Sequence, residues 1–161
     1  MIQTFTQPNG DNFRYEMIPR ATGDFFCVLL GYSGNSNCVN VPSKIENVPV
    51  TIIHNHCFFN HDCLRSVLVP STVKSVDFAA FRNCKNLSKV TFTSHTENFA
   101  PHAFYKCAKN LTIISPKASP AEAYAKASKI NWRPPTSLME HFFKNNDSGS
   151  FVSAQIEEPT R

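Results

Sequence analysis

Hydrophobic residues recur along this chain at intervals of 23 positions, with polar residues between them. The matching pairs are Phe58 and Phe81, Leu64 and Leu87, Val67 and Val90, and Val69 and Phe92. The step continues to Phe104 and Cys107, after which one extra residue puts Leu111 in the place of Leu87. A fixed period of this length is typical of stacked repeats that bury a shared core between neighbouring coils. The pattern therefore predicts a solenoid, an architecture that usually works by presenting a surface for binding.

Short apolar runs within each period predict strands, and the polar segments between them predict turns. The predicted strands are Val39–Pro42, Val50–Ile53, Leu64–Val69, Leu87–Phe92 and Leu111–Ile114. Segments 78–83 and 101–106 lie between strands and have room for only a turn or two of helix or 3₁₀ structure. The fold class predicted from this alternation is an α/β solenoid.

The same pattern sets the expected domain boundaries. Residues 1–12 are polar and are predicted to form a flexible tail, and residues 13–36 a hairpin cap. The repeats are expected over residues 37–116 and a C-terminal cap over residues 117–133. The last stretch, 134–161, is polar towards its end and is expected to be largely flexible.

Both ends of the predicted stack carry capping signals. Phe13–Ile18 and Phe25–Leu30 predict two antiparallel strands, a hairpin that would cover the first edge of a stacked fold. Ser119 suits a helix N-cap and Pro120 the first helical turn, which predicts a short helix over Ala121–Lys129. We expect this helix to cap the C-terminal end.

An apolar cluster follows the predicted C-terminal cap. Pro134 and Pro135 break the chain, and the following segment, 137–144, is predicted to form a brief helix. Its apolar residues are Leu138, Met139, Phe142 and Phe143. This segment could dock into a groove of a partner or fold back onto the protein's own cap, and we favour the fold-back.

Two neighbouring runs carry a recognisable motif. Residues 69–76 have the sequence VPSTVKSV, and residues 80–87 have the sequence AFRNCKNL. Together they resemble the unit V-x-I-P-x-x-V-x-x-I … A-F-x-x-C-x-x-L of the BspA-like leucine-rich repeat family. Residues 41–50 are similar to the first unit of that family and residues 123–132 to its closing segment. The resemblance extends over roughly residues 13–133.

The resemblance carries expectations about fold and function. It implies a right-handed solenoid with a parallel sheet on the concave side, and a protein that binds other proteins without catalysis. Members of the family are often cell-surface or adhesion proteins, so the resemblance points to the cell surface. The polar N-terminus has no apolar segment of the kind found in signal peptides, which by itself predicts a cytoplasmic protein, such as a scaffold.

Composition excludes some classes of function. The net charge is +4, but the Lys and Arg residues are scattered, so we expect no nucleic-acid surface. No apolar stretch approaches the roughly 18–20 residues that span a bilayer, so no transmembrane segment is expected. The chain has no Gly-rich phosphate loop and no G-x-S-x-G motif. We therefore predict a protein that is not an enzyme and needs no cofactor.

The densest polar cluster lies in residues 54–63. Its potential metal ligands are His54, His56, Cys57, His61 and Cys63. Imidazole and thiolate are the ligands that zinc prefers, so the alternative function is a zinc- or thiol-dependent protein centred on this segment. The spacing is not that of a standard zinc finger. The repeat register instead puts Cys57 in the place of Ala80 and Ala103, and His61 in the place of Cys84 and Cys107, which favours a structural role.

Strand alternation identifies a candidate binding face. If Leu64, Val67 and Val69 point into the core, the residues between them point outwards. The residues predicted to contact a partner on the concave face are Ser66, Leu68, Lys89, Thr91 and Thr112. The partner is expected to be a protein, and self-association is possible because a few coils offer only part of a standard interface.

Overall fold

The computed structural model describes residues 1–136 of the chain. In chain order its elements are β1 (Gln3–Thr6), β2 (Asn12–Pro19), β3 (Phe25–Ser33), β4 (Cys38–Asn40), β5 (Lys44–Ile45), β6 (Val48–Ile53), β7 (Ser66–Leu68), β8 (Ser75–Val76), β9 (Lys89–Thr91), β10 (Asn98–Phe99), β11 (Thr112–Ile114), α1 (Pro120–Ala127) and β12 (Asn131–Arg133). The strands form parallel sheets, and the chain winds between them as a solenoid of about five turns.

A five-stranded sheet, in the order β12-β11-β9-β7-β4, runs along the stack and is parallel throughout. Its register places repeat positions side by side, with Val67 opposite Val90 and Val90 opposite Ile113. Because equivalent residues are neighbours, the apolar side chains of successive coils stack in columns. The parallel sheet expected from the repeat is confirmed.

A second sheet, of seven strands, was not predicted. Its order is β1-β2-β3-β6-β8-β10, with β5 paired to β6. β6, β8 and β10 are parallel, as are β3 and β6. Each repeat coil therefore contributes to two sheets instead of one. β8 and β10 contain two residues each, too few for their alternation to be recognised in the sequence.

The convex side also differs from the expectation of short helices. Segments 55–60, 78–83 and 101–106 are turns, and α1 is the one helix within residues 1–136. Each turn contains two residues with φ near +60°, at His56 and Asn60, Ala79 and Asn83, and His102 and Lys106. A left-handed residue interrupts the hydrogen-bond ladder of a helix, so a repeated pair of them produces a turn.

The N-terminal segment 1–12, predicted to be a flexible tail, contains strand β1. β1 pairs antiparallel with β2, with Phe5 opposite Phe13. Within the same segment the Asp11 carboxylate is buried and bonded to the Tyr32 hydroxyl. β2 and β3 form the predicted hairpin, which joins the seven-stranded sheet through β3 and β6. Long-range pairing thus orders a segment whose local sequence is polar.

The helix expected near the C-terminus is present as α1. The Ser119 hydroxyl accepts a hydrogen bond from the Glu122 backbone N–H at 3.3 Å, and Pro120 is in the first turn. The chain adds β12 to the five-stranded sheet after this helix, so α1 does not end the stack. The brief helix predicted at 137–144 and most of the tail 134–161 lie outside the described residues.

Stacked aromatic rings run through the core. Phe58 and Phe81 are 4.8 Å apart and Phe81 and Phe104 are 5.0 Å apart between ring centroids, and both pairs are nearly parallel. Tyr32 continues the stack, 5.1 Å from Phe58. Offset stacking at these distances adds to the free energy gained by burial. The 23-residue repeat therefore produces one continuous aromatic column.

Candidate functional site

Five aromatic or imidazole rings form a row on the outside of three successive turns. We name them the outer-turn aromatic row: His56, Phe59, Phe78, His102 and Tyr105. Neighbouring ring centroids are 5.4–6.4 Å apart, in edge-to-face geometry. Phe59, Phe78 and Tyr105 are 39%, 44% and 46% exposed. Exposed aromatic rings in a contiguous row are typical of surfaces that bind other proteins.

The turn geometry explains why this row forms. In the first turn Phe58 packs into the core, and the next residue, Phe59, points outwards. The third turn repeats this arrangement with Phe104 inside and Tyr105 outside. His102, at one of the left-handed positions, lies against both Phe78 and Tyr105. The period that builds the aromatic column therefore also aligns rings on the outer surface.

Two cations flank one end of the row. The Arg82 guanidinium lies 5.5 Å from the Tyr105 ring centroid, and the Lys106 ammonium lies 5.6 Å from it. Both geometries fit cation–π contact. The cations give this end of the row a positive rim, which favours carboxylates on a partner.

The predicted concave-face residues lie on the outer side of the five-stranded sheet, in two rows. Ser66, Lys89 and Thr112 are register partners in one row and are partly exposed. Leu68 and Thr91 are neighbours in the other row. Leu68 is partly exposed, but Thr91 is fully buried, so the prediction that Thr91 is accessible is wrong for the folded chain.

The metal-ligand candidates of residues 54–63 point to different surroundings. The His54 Nδ1 is 3.0 Å from a carboxylate oxygen of Asp77, and His56 belongs to the outer-turn aromatic row. Cys57 is buried in the core, and burial raises the pKa of its thiol. Cys63 is exposed. Among residues 1–136, no group of three or more His, Cys, Asp or Glu residues could hold a metal ion.

His61 belongs to a ladder of side-chain donors that links successive coils. The Cys84 thiol donates to the Phe58 carbonyl at 2.8 Å, and the Cys107 thiol donates to the Phe81 carbonyl at 3.1 Å. His61, at the equivalent repeat position, forms a hydrogen bond to the Tyr32 backbone, and burial lowers its pKa. The imidazole and the thiols thus satisfy backbone groups of the preceding coil.

This placement predicts different effects for two cysteine substitutions. Cys57→Ser puts a hydroxyl into an apolar site and is expected to lower the free energy of unfolding by about 1–3 kcal/mol. Cys63→Ser, on the surface, is expected to change it little. Urea denaturation and metal analysis of both variants check this. Stoichiometric zinc in the wild type that is lost in the double variant would instead support the zinc-dependent alternative.

A groove beside β4 gives no sign of catalysis. It measures about 700 Å³ and lies beside β4, lined by Phe5, Gln7, Asn40, Pro42 and Lys44 among others. Lys44 and Cys38 are the titratable residues that line it. A catalytic site needs a nucleophile or base that a third group orients, and these two residues do not supply that arrangement.

The outer-turn aromatic row is the feature that the sequence did not predict. The repeat predicts that residues sharing its period pack in the core, which is correct for Phe58, Phe81 and Phe104. Phe59 and Phe78 have no aromatic counterpart 23 positions later, at Arg82 and Pro101. The available signal was that Phe59 and Tyr105 share one repeat position, directly after the buried Phe58 and Phe104.

Comparison with known proteins agrees with this architecture. The family model described as the BspA type leucine-rich repeat region matches residues 51–145, with six copies. A search of curated proteins gave no match. Across residues 1–136, no helix is long and apolar enough to cross a membrane.

Two solved structures are similar to this chain at low sequence identity, and the first has a TM-score high enough to indicate a shared fold. A leucine-rich cell surface protein from Faecalibacterium prausnitzii is 23% identical, with a TM-score of 0.53 over 80% of this chain and 35% of that protein. A leucine-rich repeat protein from Bacteroides ovatus is 17% identical, with a TM-score of 0.43 over 71% of this chain and 38% of its own. This chain thus spans about a third of the length of the F. prausnitzii protein. Since the family model covers more than half of the sequence, the chain belongs to the BspA-type leucine-rich repeat family.

Proposed function

We propose that this protein is a noncatalytic protein-binding module whose main contact surface is the outer-turn aromatic row. The observation that carries the proposal is the exposure of Phe59, Phe78 and Tyr105 in one contiguous row. Aromatic side chains at a surface lose little conformational freedom on binding and are often among the few residues that carry most of the binding energy. The family, which includes many binding proteins, agrees with a role without catalysis.

The chemistry of the row indicates which kind of protein surface would bind to it. The centre of the row is apolar and its end carries Arg82 and Lys106 beside Tyr105. A complementary protein surface has an apolar centre and carboxylates at one end. A standard interface buries about 800 Å² on each partner, so the contact extends beyond these rings to neighbouring turns.

Phe78 is the residue to test, because it lies between His56 and His102 at the middle of the row. Phe78→Ser is expected to raise the dissociation constant for the partner at least about tenfold. The partner is identified by cross-linking in the native source, and its affinity is then measured with purified proteins. Phe25→Ser is the matched control, since Phe25 is 46% exposed but lies at the hairpin.

Equal affinity of the Phe78 and Phe25 variants would contradict binding through the row. The face of the five-stranded sheet is the second candidate surface, with Ser66, Leu68, Lys89 and Thr112 as its contact residues. Leu68→Glu weakens binding only if the partner uses that face. Sedimentation of the purified protein over a range of concentrations tests whether the partner is a second copy of the chain.

The setting that we propose is surface recognition or adhesion. The support is the resemblance to a family with many surface proteins, together with the description of the F. prausnitzii relative as a cell surface protein. The alternative is a cytosolic scaffold that uses the same row. Labelling of intact cells with a membrane-impermeant reagent distinguishes them: labelled protein supports the surface setting, and its protection supports the scaffold.

A further inference from the structure

Two cysteines occupy the same repeat position on adjacent coils. Cys84 and Cys107 each follow directly after an outer turn. A backbone hydrogen bond of 2.8 Å joins these turns, from the Asn83 N–H to the Tyr105 carbonyl. Coils joined in this way lie about as far apart as adjacent strands, about 4.8 Å. A disulfide needs a separation of about 4.4–6.8 Å between Cα atoms, so the two cysteines are at bridging distance.

The two side chains also point in the same direction. The Cys84 thiol donates to the Phe58 carbonyl at 2.8 Å, and the Cys107 thiol donates to the Phe81 carbonyl at 3.1 Å. Each sulfur atom is thus directed towards the coil before its own, which brings the Cys107 sulfur to the side of Cys84. The two side chains interact directly with each other. A bond between the sulfur atoms therefore requires little movement of the chain.

The two sulfur atoms differ in their access to solvent. Cys84 is 0% exposed, whereas Cys107 is partly exposed. A small oxidant can therefore reach Cys107 from solvent. Cys84 lies behind it, in the position of a second thiol that completes the reaction within the protein.

The other cysteines are not arranged in this way. Cys38 lies opposite Ser66 of the neighbouring strand. Cys57 is buried, and an alanine takes its place in each of the next two coils. Within residues 1–136, Cys84 and Cys107 are the one pair of cysteines at equivalent positions of adjacent coils.

We propose that Cys84 and Cys107 form a disulfide when the folded protein meets a low-molecular-weight disulfide such as glutathione disulfide. The Cys107 thiolate attacks one sulfur of the oxidant, whose S–S bond breaks, and one glutathione leaves and takes up the proton that Cys107 lost. Cys84 then attacks the Cys107 sulfur of the mixed disulfide, and the second glutathione leaves with the Cys84 proton. Two protein thiols are oxidised, and their two electrons reduce the oxidant to two molecules of glutathione.

The bridge joins the ends of turns 78–83 and 101–106, which carry Phe78 and Tyr105 of the outer-turn aromatic row. It replaces two hydrogen bonds from thiols, which are weak donors, with one covalent bond. The spacing between these turns is then fixed covalently. The proposal does not depend on binding through the row.

Oxidation of the folded full chain with glutathione disulfide at neutral pH tests this site. Free thiols are alkylated, and the protein is digested with trypsin without reduction. Cleavage after Lys and Arg releases Cys84 in fragment 83–85 and Cys107 in fragment 107–109. We expect these fragments to be joined at least about fivefold more often than any other pair of cysteine fragments. Glutathione on Cys107 without joined fragments would overturn the proposal.

The same oxidation in concentrated urea shows what the fold contributes. Cys57 and Cys63 are the cysteines closest in sequence, so in the unfolded chain their bridge closes the shortest loop and is expected to dominate. In the folded chain Cys57 is buried and Cys63 is exposed, which disfavours that bridge. A main product that joins Cys57 and Cys63 in the folded protein would contradict the proposal.

Two variants separate the pair from general reactivity. In Cys107→Ala, Cys84 is expected to stay reduced, because the thiol that the oxidant reaches first is missing. Cys27→Ala is the matched control, since Cys27 is also buried and its thiol faces the Val48 carbonyl. We expect this control to form the bridge as the wild type does. Loss of the bridge in Cys27→Ala, or oxidation of Cys84 in Cys107→Ala, would overturn the proposal.

Discussion

Replacement of Phe81 by alanine is expected to lower the free energy of unfolding by about 3–5 kcal/mol. Phe81 is fully buried, and its ring stacks on Phe58 on one side and on Phe104 on the other. The substitution removes apolar contact, leaves a cavity and breaks two stacked pairs at once. Since the free energy of unfolding of a small domain is only about 5–15 kcal/mol, this single change removes a large part of the protein's stability.

Phe59→Ala is the matched control, because Phe59 is the outward neighbour of the column and is 39% exposed. We expect it to change the free energy of unfolding by less than about 1 kcal/mol. Urea denaturation of both variants checks the difference. A double-mutant cycle on Phe58 and Phe81 is expected to show coupling, since each repeat contacts its neighbours directly. Equal effects of the two single variants would mean that the column does not hold the coils together.

The second large effect is expected from Asp11→Ala, which should lower the free energy of unfolding by about 2–3 kcal/mol. The buried carboxylate accepts hydrogen bonds from the Tyr32 hydroxyl at 2.9 Å and from the Ser36 hydroxyl at 2.8 Å. It also accepts one from the Asn9 amide at 3.0 Å. Burial and the contact with Asp11 raise the pKa of Tyr32, so its hydroxyl stays a donor. Removal of Asp11 leaves that donor unpaired at the end of the aromatic column.

Asp24→Ala provides the control for this prediction, because Asp24 lies in an exposed turn beside Thr22 and Arg20. We expect it to have little effect on the urea midpoint. Asp11→Asn keeps one side-chain oxygen, which can accept two hydrogen bonds. Its urea midpoint is expected to lie between those of the wild type and Asp11→Ala. If Asp11→Ala were as stable as Asp24→Ala, the hydrogen bonds of the Asp11 carboxylate would contribute nothing to the stability of the fold.

The repeat could be predicted because the same types of residue recur at a fixed spacing along the sequence. Phe58, Phe81 and Phe104 share one position, and each is buried as the period required. The role of Asp11 could not be predicted in this way. Its neighbours Asn9 and Gly10 are turn residues, and its partners, Tyr32 in β3 and Ser36 after that strand, are more than twenty positions away. Local polarity suggested a flexible tail, whereas long-range hydrogen bonds order it.

The candidate surface was predicted less well than the fold, for a geometric reason. Alternation correctly put Ser66 and Leu68 on the outer side of a strand. It could not reveal that Thr91 is covered, since burial of an outward residue depends on what lies above the sheet. Nor could it locate Phe78, whose direction follows from a turn with the left-handed residue Ala79. Turn dihedrals are not visible in an apolar pattern.

The ladder of His61, Cys84 and Cys107 has a consequence for how this protein can change over evolution. Each coil brings its own donor to the carbonyl of the coil before it, so every unit carries its own attachment. Duplication of one 23-residue unit within the gene would supply both halves of a new junction, with no change at either end of the stack. The length of the array, and with it the reach of its outer surface, can thus vary in whole units.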